Sequence, residues 1–188
     1  NLQTQGKKQE AHESLMRGLE LDPNHLVING NLCMNTFSLG RLEEAEKYAK
    51  NTLNINPSFF DSWFFLYMIH IQAGQREKEI TELIEEIKEI PNKNSPIYAV
   101  LIDYYKDRDP KKSDEYYELA DKYDETVNNT ALQDRIIVKV GFDEFMELAE
   151  KAYESNTLPF NFENNLFVRD YKGNPKYKAF VEKIRKGK

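Results

Sequence analysis

The stretch from Gly40 to Pro57 reads GRLEEAEKYAKNTLNINP and decides the fold of this chain. A glycine opens it, a helix-forming run with alanines four residues apart follows, and an asparagine–proline pair closes it. Glycine permits a sharp backbone turn and proline cannot continue a hydrogen-bonded helix. The stretch therefore predicts one helix between two breaks.

The same breaks recur at a fixed interval along the first half of the chain. The residues spaced by 34 are Gly6, Gly40 and Gly74, and Pro23, Pro57 and Pro91. In the second unit, helices are predicted over 26–39 and 41–55, on either side of Gly40. A single helical hairpin cannot bury its apolar stripe, whereas stacked hairpins can. The interval therefore predicts an all-α solenoid of helical hairpins.

The same stretch resembles the second helix of the tetratricopeptide repeat, and the start of the next unit resembles its first helix. The matching residues are Gly40, Ala45, Tyr48, Pro57, Trp63 and Leu66. The resemblance implies a right-handed α–α superhelix whose first helices line a concave, partner-binding face.

The third unit departs from the family pattern after Gly74. Glu79 falls where the family has a small buried residue, and burying an unpaired carboxylate would cost several kcal/mol. A shift of one residue removes this problem. The shift places four other side chains on the buried face, namely Ile80, Leu83, Ile84 and Ile87.

Units that match the repeat pattern less closely follow towards the C-terminus. Further helix pairs are predicted over 94–106 and 111–124, and over 129–140 and 142–155. The repeats are expected at 1–25, 26–59, 60–93, 94–126 and 127–159, followed by 160–188 as an irregular segment with a C-terminal capping helix. Because residues 1–25 hold only the second helix of a hairpin, we expect the chain to be part of a longer protein.

Residues 141–186 are similar to the closing module of many bacterial multidomain tetratricopeptide proteins. The segment AEKAYE at 149–154 matches a helix of that module, and NPKY at 174–177 opens its short final helix. Such modules trail cyclase, kinase and winged-helix regulator domains. The resemblance implies a non-catalytic protein-interaction scaffold in a larger bacterial signalling or regulatory protein. The alternative is an accessory domain that regulates a nucleotide cyclase or kinase by intramolecular docking.

Charge is unevenly distributed along the chain. Residues 169–188 carry eight basic and two acidic side chains, a balance of +6, and the whole chain carries -6, so residues 1–168 carry -12. A basic tail for nucleic acid or anionic lipid is one interpretation. We favour a solvated terminal helix beside an acidic body, because the remaining -12 opposes phosphate binding. No apolar run reaches the roughly 20 residues of a membrane helix. We therefore expect a protein or peptide partner, no nucleic acid, no membrane, and a cytoplasmic location.

The sequence offers little for catalysis or for a cofactor. His12, His25 and His70 lie far apart on different units, and Cys33 is the only cysteine. No phosphate-binding glycine loop, nucleophile elbow or metal-ligand spacing accompanies them. We expect no enzyme activity, no cofactor and no metal site. We also expect Cys33 to be a small core residue.

Binding is therefore expected on the concave face. By resemblance, the side chains there are Val27, Met34, Phe37, Phe64, Met68, Ile71, Tyr98, Ile102 and Tyr105. Such an apolar and aromatic set suits an amphipathic helix or an apolar peptide segment. The competing interpretation is that these residues belong to the core between repeats, because a change of phase by one residue exchanges concave and buried positions.

Overall fold

The regular elements of the chain are helical. The computed structural model describes residues 2–74, 77–126, 137–158 and 168–186, and no strand occurs among them. The α-helices are α1 Leu2–Leu21, α2 Leu26–Ser38, α3 Leu42–Ile55, α4 Phe60–Gln72, α5 Glu77–Glu89, α6 Ser95–Tyr105, α7 Pro110–Thr126, α8 Ile137–Val140, α9 Phe142–Glu154 and α10 Pro175–Lys186. A short 3-10 turn spans Arg169–Tyr171. The prediction of an all-α chain is confirmed.

The chain divides into two compact units, Asn1–Val100 and Leu101–Lys188. Helices α2, α3, α6 and α9 begin and end within one residue of their predicted bounds. The helix expected over 129–140 is described only from Ile137, and its earlier part lies outside the described residues. In the part of the chain that the structure describes, no helix has the length and apolarity needed to cross a bilayer.

The turns between paired helices depend on glycine. Gly40, Gly74 and Gly141 have φ values of 77°, 73° and 79°, in the left-handed region that L side chains rarely adopt. An added Cβ would meet no atom within 4 Å at any of the three, so the backbone conformation, and not space, requires glycine. Gly6 differs, because it lies inside α1 instead of at a turn.

Helices α1 and α2 are neighbours and run antiparallel. Near the start of α1, the carbonyl of Lys8 accepts a hydrogen bond of 3.0 Å from Asn35 Nδ2 near the end of α2. Near the other end of α1, Gly18 lies against Ile28, at the start of α2. The residues thus pair in opposite order along the two helices.

Helices α1 and α3 run parallel to each other. Arg41 Nη2 donates to Gln9 Oε1 at 2.8 Å, and the Tyr48 hydroxyl lies 3.2 Å from the Met16 sulfur. Each pair is separated by 32 residues. Helices α1 and α3 thus hold corresponding places in consecutive units.

The junction between consecutive units repeats the same hydrogen bond. Asn29 Nδ2 donates to the carbonyl of Pro23 at 3.0 Å. Thirty-four residues later, Trp63 Nε1 donates to the carbonyl of Pro57 at 2.8 Å. Different side chains thus tie the start of α2 to Pro23 and the start of α4 to Pro57. The interval of 34 residues found in the sequence thus also separates these two hydrogen bonds.

The turn around each of these prolines is also repeated. The carboxylate of Asp22 accepts from the backbone N–H of Asn24 at 3.2 Å, and the amide oxygen of Asn56 accepts from the N–H of Ser58 at 2.9 Å. A side chain that accepts from the backbone two residues later stabilises a local turn.

The third unit follows the shifted pattern. Glu79 is exposed on α5, whereas the four predicted apolar residues are buried: Ile80, Leu83, Ile84 and Ile87. Shifting the phase by one residue leaves the carboxylate in water and places four branched aliphatic side chains in the core. The prediction is confirmed.

In the compact unit Leu101–Lys188, α9 packs against α10. The expected inner stripe of α9, Phe145, Ala149 and Ala152, is buried. The buried side of α10 consists of Tyr177, Phe180, Val181 and Ile184. Between α6 and α7, Ser113 Oγ donates to the carbonyl of Ile102 at 3.1 Å.

Candidate protein-interaction surface

An aromatic cluster joins α2 and α4 in the first unit. The rings of Phe37 and Phe65 meet edge to face with centroids 5.5 Å apart, and Phe64 meets Phe65 in the same way at 5.7 Å. All three rings are only partly buried. Edge-to-face pairs stabilise such a cluster beyond the effect of buried area. The rings therefore form a firm apolar surface that water still reaches.

Two further apolar side chains on α2 are exposed. Val27 is 52% exposed and Met34 is 39% exposed. They are seven residues apart, about two helical turns, so they lie on the same side of α2. We call the set Val27, Met34, Phe37, Phe64 and Phe65 the aromatic surface.

Phe65 was not among the predicted binding residues. It occupies the position next to Phe64 on α4, and it supplies the contact with α2. The sequence signal was the Phe64–Phe65 pair itself. Two adjacent rings on a helix point about 100° apart, so one ring can face the neighbouring helix while the other faces solvent.

The structure divides the nine predicted binding residues by exposure. Those that keep exposed area are Val27, Met34, Phe37, Phe64, Ile71 and Tyr98. Those that are buried in the chain itself are Met68, Ile102 and Tyr105. Buried side chains cannot supply contact area to a partner, so these three are not part of the aromatic surface.

The contacts of Tyr105 show why it is buried. Its ring stacks on Tyr116 of α7 with centroids 5.8 Å apart, and Tyr104 meets it edge to face at 4.9 Å. Lys112 Nζ lies 5.1 Å from the centre of the same ring. Tyr105 therefore faces the second helix of its own pair.

The three histidines have separate surroundings. His25 precedes α2, and its Nδ1 accepts from the backbone N–H of Ile28 at 3.3 Å, which caps that helix. His12 and His70 are buried on α1 and α4. Within the described ranges, no three His, Cys, Asp or Glu side chains come together as metal ligands.

Cys33 is fully buried in α2, as the sequence analysis expected. Burial, with a smaller contribution from the carboxylate of Asp61, raises the pKa of its thiol to about 12. The thiolate is the nucleophilic form, so this cysteine is protonated and shielded at neutral pH.

The basic C-terminal helix is directed towards an acidic neighbour. On α10, Lys176 Nζ lies 3.2 Å from Asp143 Oδ1, and Lys183 pairs with Glu150, both partners belonging to α9. The Lys183 ammonium also lies 5.3 Å from the ring centre of Tyr153. The hydrogen bond to Glu150 raises the pKa of Lys183. Part of the basic charge thus holds α10 against α9.

A concavity lies between α1 and α3. It has a volume of about 740 Å³, and its lining residues come mainly from those two helices. Met16, Leu19 and Pro23 supply apolar lining, whereas Lys47 and Glu43 supply charges of both signs. Mixed charges around an apolar floor favour no single class of ligand.

These features describe an exposed apolar surface by its chemistry alone. Comparison of the chain with protein-family models and with curated proteins finds no match.

Proposed function

We propose that the chain is a non-catalytic protein-interaction module and that its partner is an amphipathic helix or an apolar peptide segment. The resemblance to the tetratricopeptide repeat supports this proposal, and the likeness of residues 141–186 to bacterial closing modules supports a place in a signalling or regulatory protein. A superhelical arrangement of the helical pairs is part of the same proposal.

The observation that carries the proposal is the exposure of the aromatic surface. Three phenylalanine rings, a methionine and a valine remain accessible to water on two adjacent helices. Contiguous exposed apolar patches on soluble proteins mark interaction sites. Burying one such side chain fully contributes about 1.5–3 kcal/mol. Aromatic anchors at the centre of an interface dominate its binding energy.

The chemistry of the surface selects the kind of partner. Rigid rings provide shape, and the flexible thioether of Met34 adapts to side chains of different outline. No charged residue belongs to the aromatic surface. An apolar helix face can therefore be bound without burying an unpaired charge.

A peptide selection tests this function. We would select helical amphipathic peptides, each of about 16 residues to sustain a helix, from a displayed library on the full chain. The dissociation constant of the selected peptide is then measured by fluorescence anisotropy. We expect Phe64→Ala to raise it roughly five- to thirty-fold, because an anchor worth about 1 to 2 kcal/mol is lost.

The matched control is Leu119→Ala. Leu119 is a large apolar residue on α7, 43% exposed and outside the aromatic surface. The control should leave the dissociation constant unchanged, and circular dichroism should show both variants fully helical. Peptides that bind Phe64→Ala as tightly as the unaltered chain, or a library that yields no binder, would contradict the proposed function.

A further inference from the structure

Asn29 and Gly30 form the single Asn–Gly pair of the chain. In an unfolded polypeptide such a pair is chemically labile, because the backbone nitrogen of the glycine can attack the side-chain amide carbon of the asparagine. Glycine has no Cβ to crowd that approach. The residues 34 positions later are Trp63 and Phe64, so the repeat pattern does not require the pair.

The reaction converts the side-chain amide into a carboxyl group in two steps. A bond forms between the Gly30 nitrogen and Cγ of Asn29, the Cγ–Nδ2 bond breaks, and the proton of the attacking nitrogen leaves with the amide as ammonia. Water then opens the resulting five-membered imide at one of its two carbonyl carbons. The products are aspartate and isoaspartate, in which the main chain runs through the side chain. Water is the only co-reactant, and nothing is oxidised or reduced.

Hydrogen bonds hold the amide of Asn29 in the folded chain. Its Nδ2 donates to the carbonyls of Pro23 and His25 at 3.0 Å each, and its Oδ1 accepts from Asn51 Nδ2 at 2.8 Å. The side chain of Asn29 is fully buried. These three bonds oppose the rotation that would bring Cγ to the next backbone nitrogen.

The attacking nitrogen is held as well. Gly30 lies within α2, where backbone N–H groups donate to carbonyls four residues earlier. The ring of Phe59 lies against Gly30, so closely that an added Cβ would be 2.7 Å from Cε1 of the ring. Imide formation requires the peptide group between Asn29 and Gly30 to rotate out of the helix. The helix and the ring both oppose that rotation.

Neither product fits the place of the amide. An ionised carboxyl group is an acceptor only, so at position 29 it would face the carbonyl oxygens of Pro23 and His25 with no hydrogen to share. Isoaspartate would add a carbon to the main chain inside α2 and interrupt the hydrogen bonds of that helix. Helix α2 contacts α1, α3 and α4, so a distortion of α2 disturbs three neighbours.

We propose that Asn29–Gly30 is a deamidation site that the folded chain protects and that reacts when the start of α2 opens. Conversion prevents α2 from closing again in its original form, so a reversible opening becomes irreversible. Chains that have opened thus carry a permanent chemical mark, and chains that stay folded do not. This inference does not depend on the interaction function proposed above.

The test follows deamidation of the full chain at mildly alkaline pH, folded in buffer and unfolded in guanidinium chloride. Samples are digested with pepsin in acid, where imide formation is slow, and mass spectrometry measures the conversion of amide to acid in the peptide that contains residue 29. The rate in the folded sample equals the rate in the unfolded sample multiplied by the fraction of chains open at α2. We expect conversion at Asn29 to be at least about a hundredfold slower in the folded sample.

Asn51→Ala tests whether the hydrogen bonds of Asn29 provide the protection. The variant removes the donor to Asn29 Oδ1 and leaves the Asn–Gly pair intact. We expect conversion in the folded sample to become roughly five- to thirty-fold faster, and conversion in guanidinium chloride to stay the same. The matched control is Asn54→Ala, an exposed position on the same helix, which should leave both rates unchanged.

Asn29→Asp supplies one of the two products directly. Its midpoint of urea unfolding at neutral pH should lie below that of Asn29→Ala, because the carboxylate faces two carbonyl oxygens and the methyl group of alanine does not.

Three outcomes would overturn the proposal. Equal rates in the folded and unfolded samples, or no conversion at residue 29 in guanidinium chloride, would mean that the fold does not control a labile site. Equal acceleration by Asn51→Ala and Asn54→Ala would mean that the hydrogen bonds of Asn29 do not protect it. An Asn29→Asp chain as stable as the unaltered one would mean that conversion leaves α2 free to close.

Discussion

At the scale of single residues, burial and close packing determine the properties of Cys33 and Gly30. The usual pKa of a cysteine thiol is near 9.0, and Cys33 is raised to about 12 in the folded chain. The folded state therefore keeps this proton over a pH range in which the unfolded state loses it.

This difference predicts a pH dependence of stability. Between those two pKa values the unfolded state binds fewer protons than the folded state, so the free energy of unfolding falls as pH rises, by up to about 1.4 kcal/mol per pH unit from this group. At pH values below the pKa of the unfolded thiol, both states keep the proton, so this group adds no pH dependence to stability. Urea unfolding of the unaltered chain should therefore lose stability more steeply than Cys33→Ala between about pH 9 and 11. If the free energies of unfolding of the unaltered chain and of Cys33→Ala changed in parallel with pH, the Cys33 thiol would not be desolvated in the folded state.

Gly30 gives a second prediction at this scale. A Cβ added to Gly30 would lie 2.7 Å from Cε1 of the Phe59 ring and 2.9 Å from Cζ, both closer than real contacts allow. The ring can only move as a whole, so we expect Gly30→Ala to lower the free energy of unfolding by about 1–3 kcal/mol despite the better helix propensity of alanine.

Gly18 is the matched control for this substitution. An added Cβ there would meet only the terminal Cδ1 of Ile28 at 2.8 Å, and that methyl group can rotate away. Gly18→Ala should therefore be close to neutral in thermal unfolding. Equal losses at the two glycines would contradict the distinction between a rigid and a flexible neighbour.

At the scale of secondary-structure elements, Asn29 connects the start of α2 to two other segments. Its Nδ2 donates to the carbonyls of Pro23 and His25 at 3.0 Å each, and its Oδ1 accepts from Asn51 Nδ2 of α3 at 2.8 Å. The residue is fully buried, whereas Pro23 is exposed and Asn51 is partly buried, so water replaces only part of what these bonds supply.

We expect Asn29→Ala to lower the free energy of unfolding by about 1–3 kcal/mol, because the Asn51 amide and the Pro23 carbonyl lose their partner. Asn31→Ala, two residues along α2 and exposed, is the control and should change stability by less than about 0.5 kcal/mol. A double-mutant cycle with Asn51→Ala would measure the coupling across the two helices. If Asn29→Ala and Asn31→Ala changed the free energy of unfolding equally, the proposed link between α2 and α3 through Asn29 would be absent.

Helices were the most predictable elements of this chain. Gly40, Gly74 and Gly141 fixed where paired helices turn, because a left-handed backbone conformation selects glycine whatever the surrounding packing is. The phase of α5 was also predictable, since the cost of burying Glu79 decided between two registers. The start of α1 was not predictable from Gly6, because a glycine inside a helix costs only about 1 kcal/mol relative to alanine.

At the scale of the whole molecule, the candidate surface was only partly predictable. The resemblance to the tetratricopeptide repeat implied that Val27, Met34 and Phe64 lie on the binding face, and all three keep exposed area. Tyr105 has equivalent spacing, yet it stacks on Tyr116 and is buried. Helical phase gives the direction of a side chain, but the neighbouring helix decides whether water reaches it. Tertiary packing of this kind is not encoded in the residues of one helix.

The repeated junction bond bears on how such a chain changes over evolutionary time. The acceptor at these two junctions is a proline carbonyl, part of the main chain, whereas the donor is an amide in Asn29 and an indole in Trp63. Any side chain with a suitably placed N–H can satisfy that acceptor, and the corresponding position after Pro91 is Ile97, whose side chain carries no donor, so the junction constrains the residue type only weakly. Units of this protein can therefore differ at the junction position while their prolines keep the interval of 34 residues. Methods that compare spacing and hydrogen-bond partners should detect relationships among such units more readily than methods that compare residues.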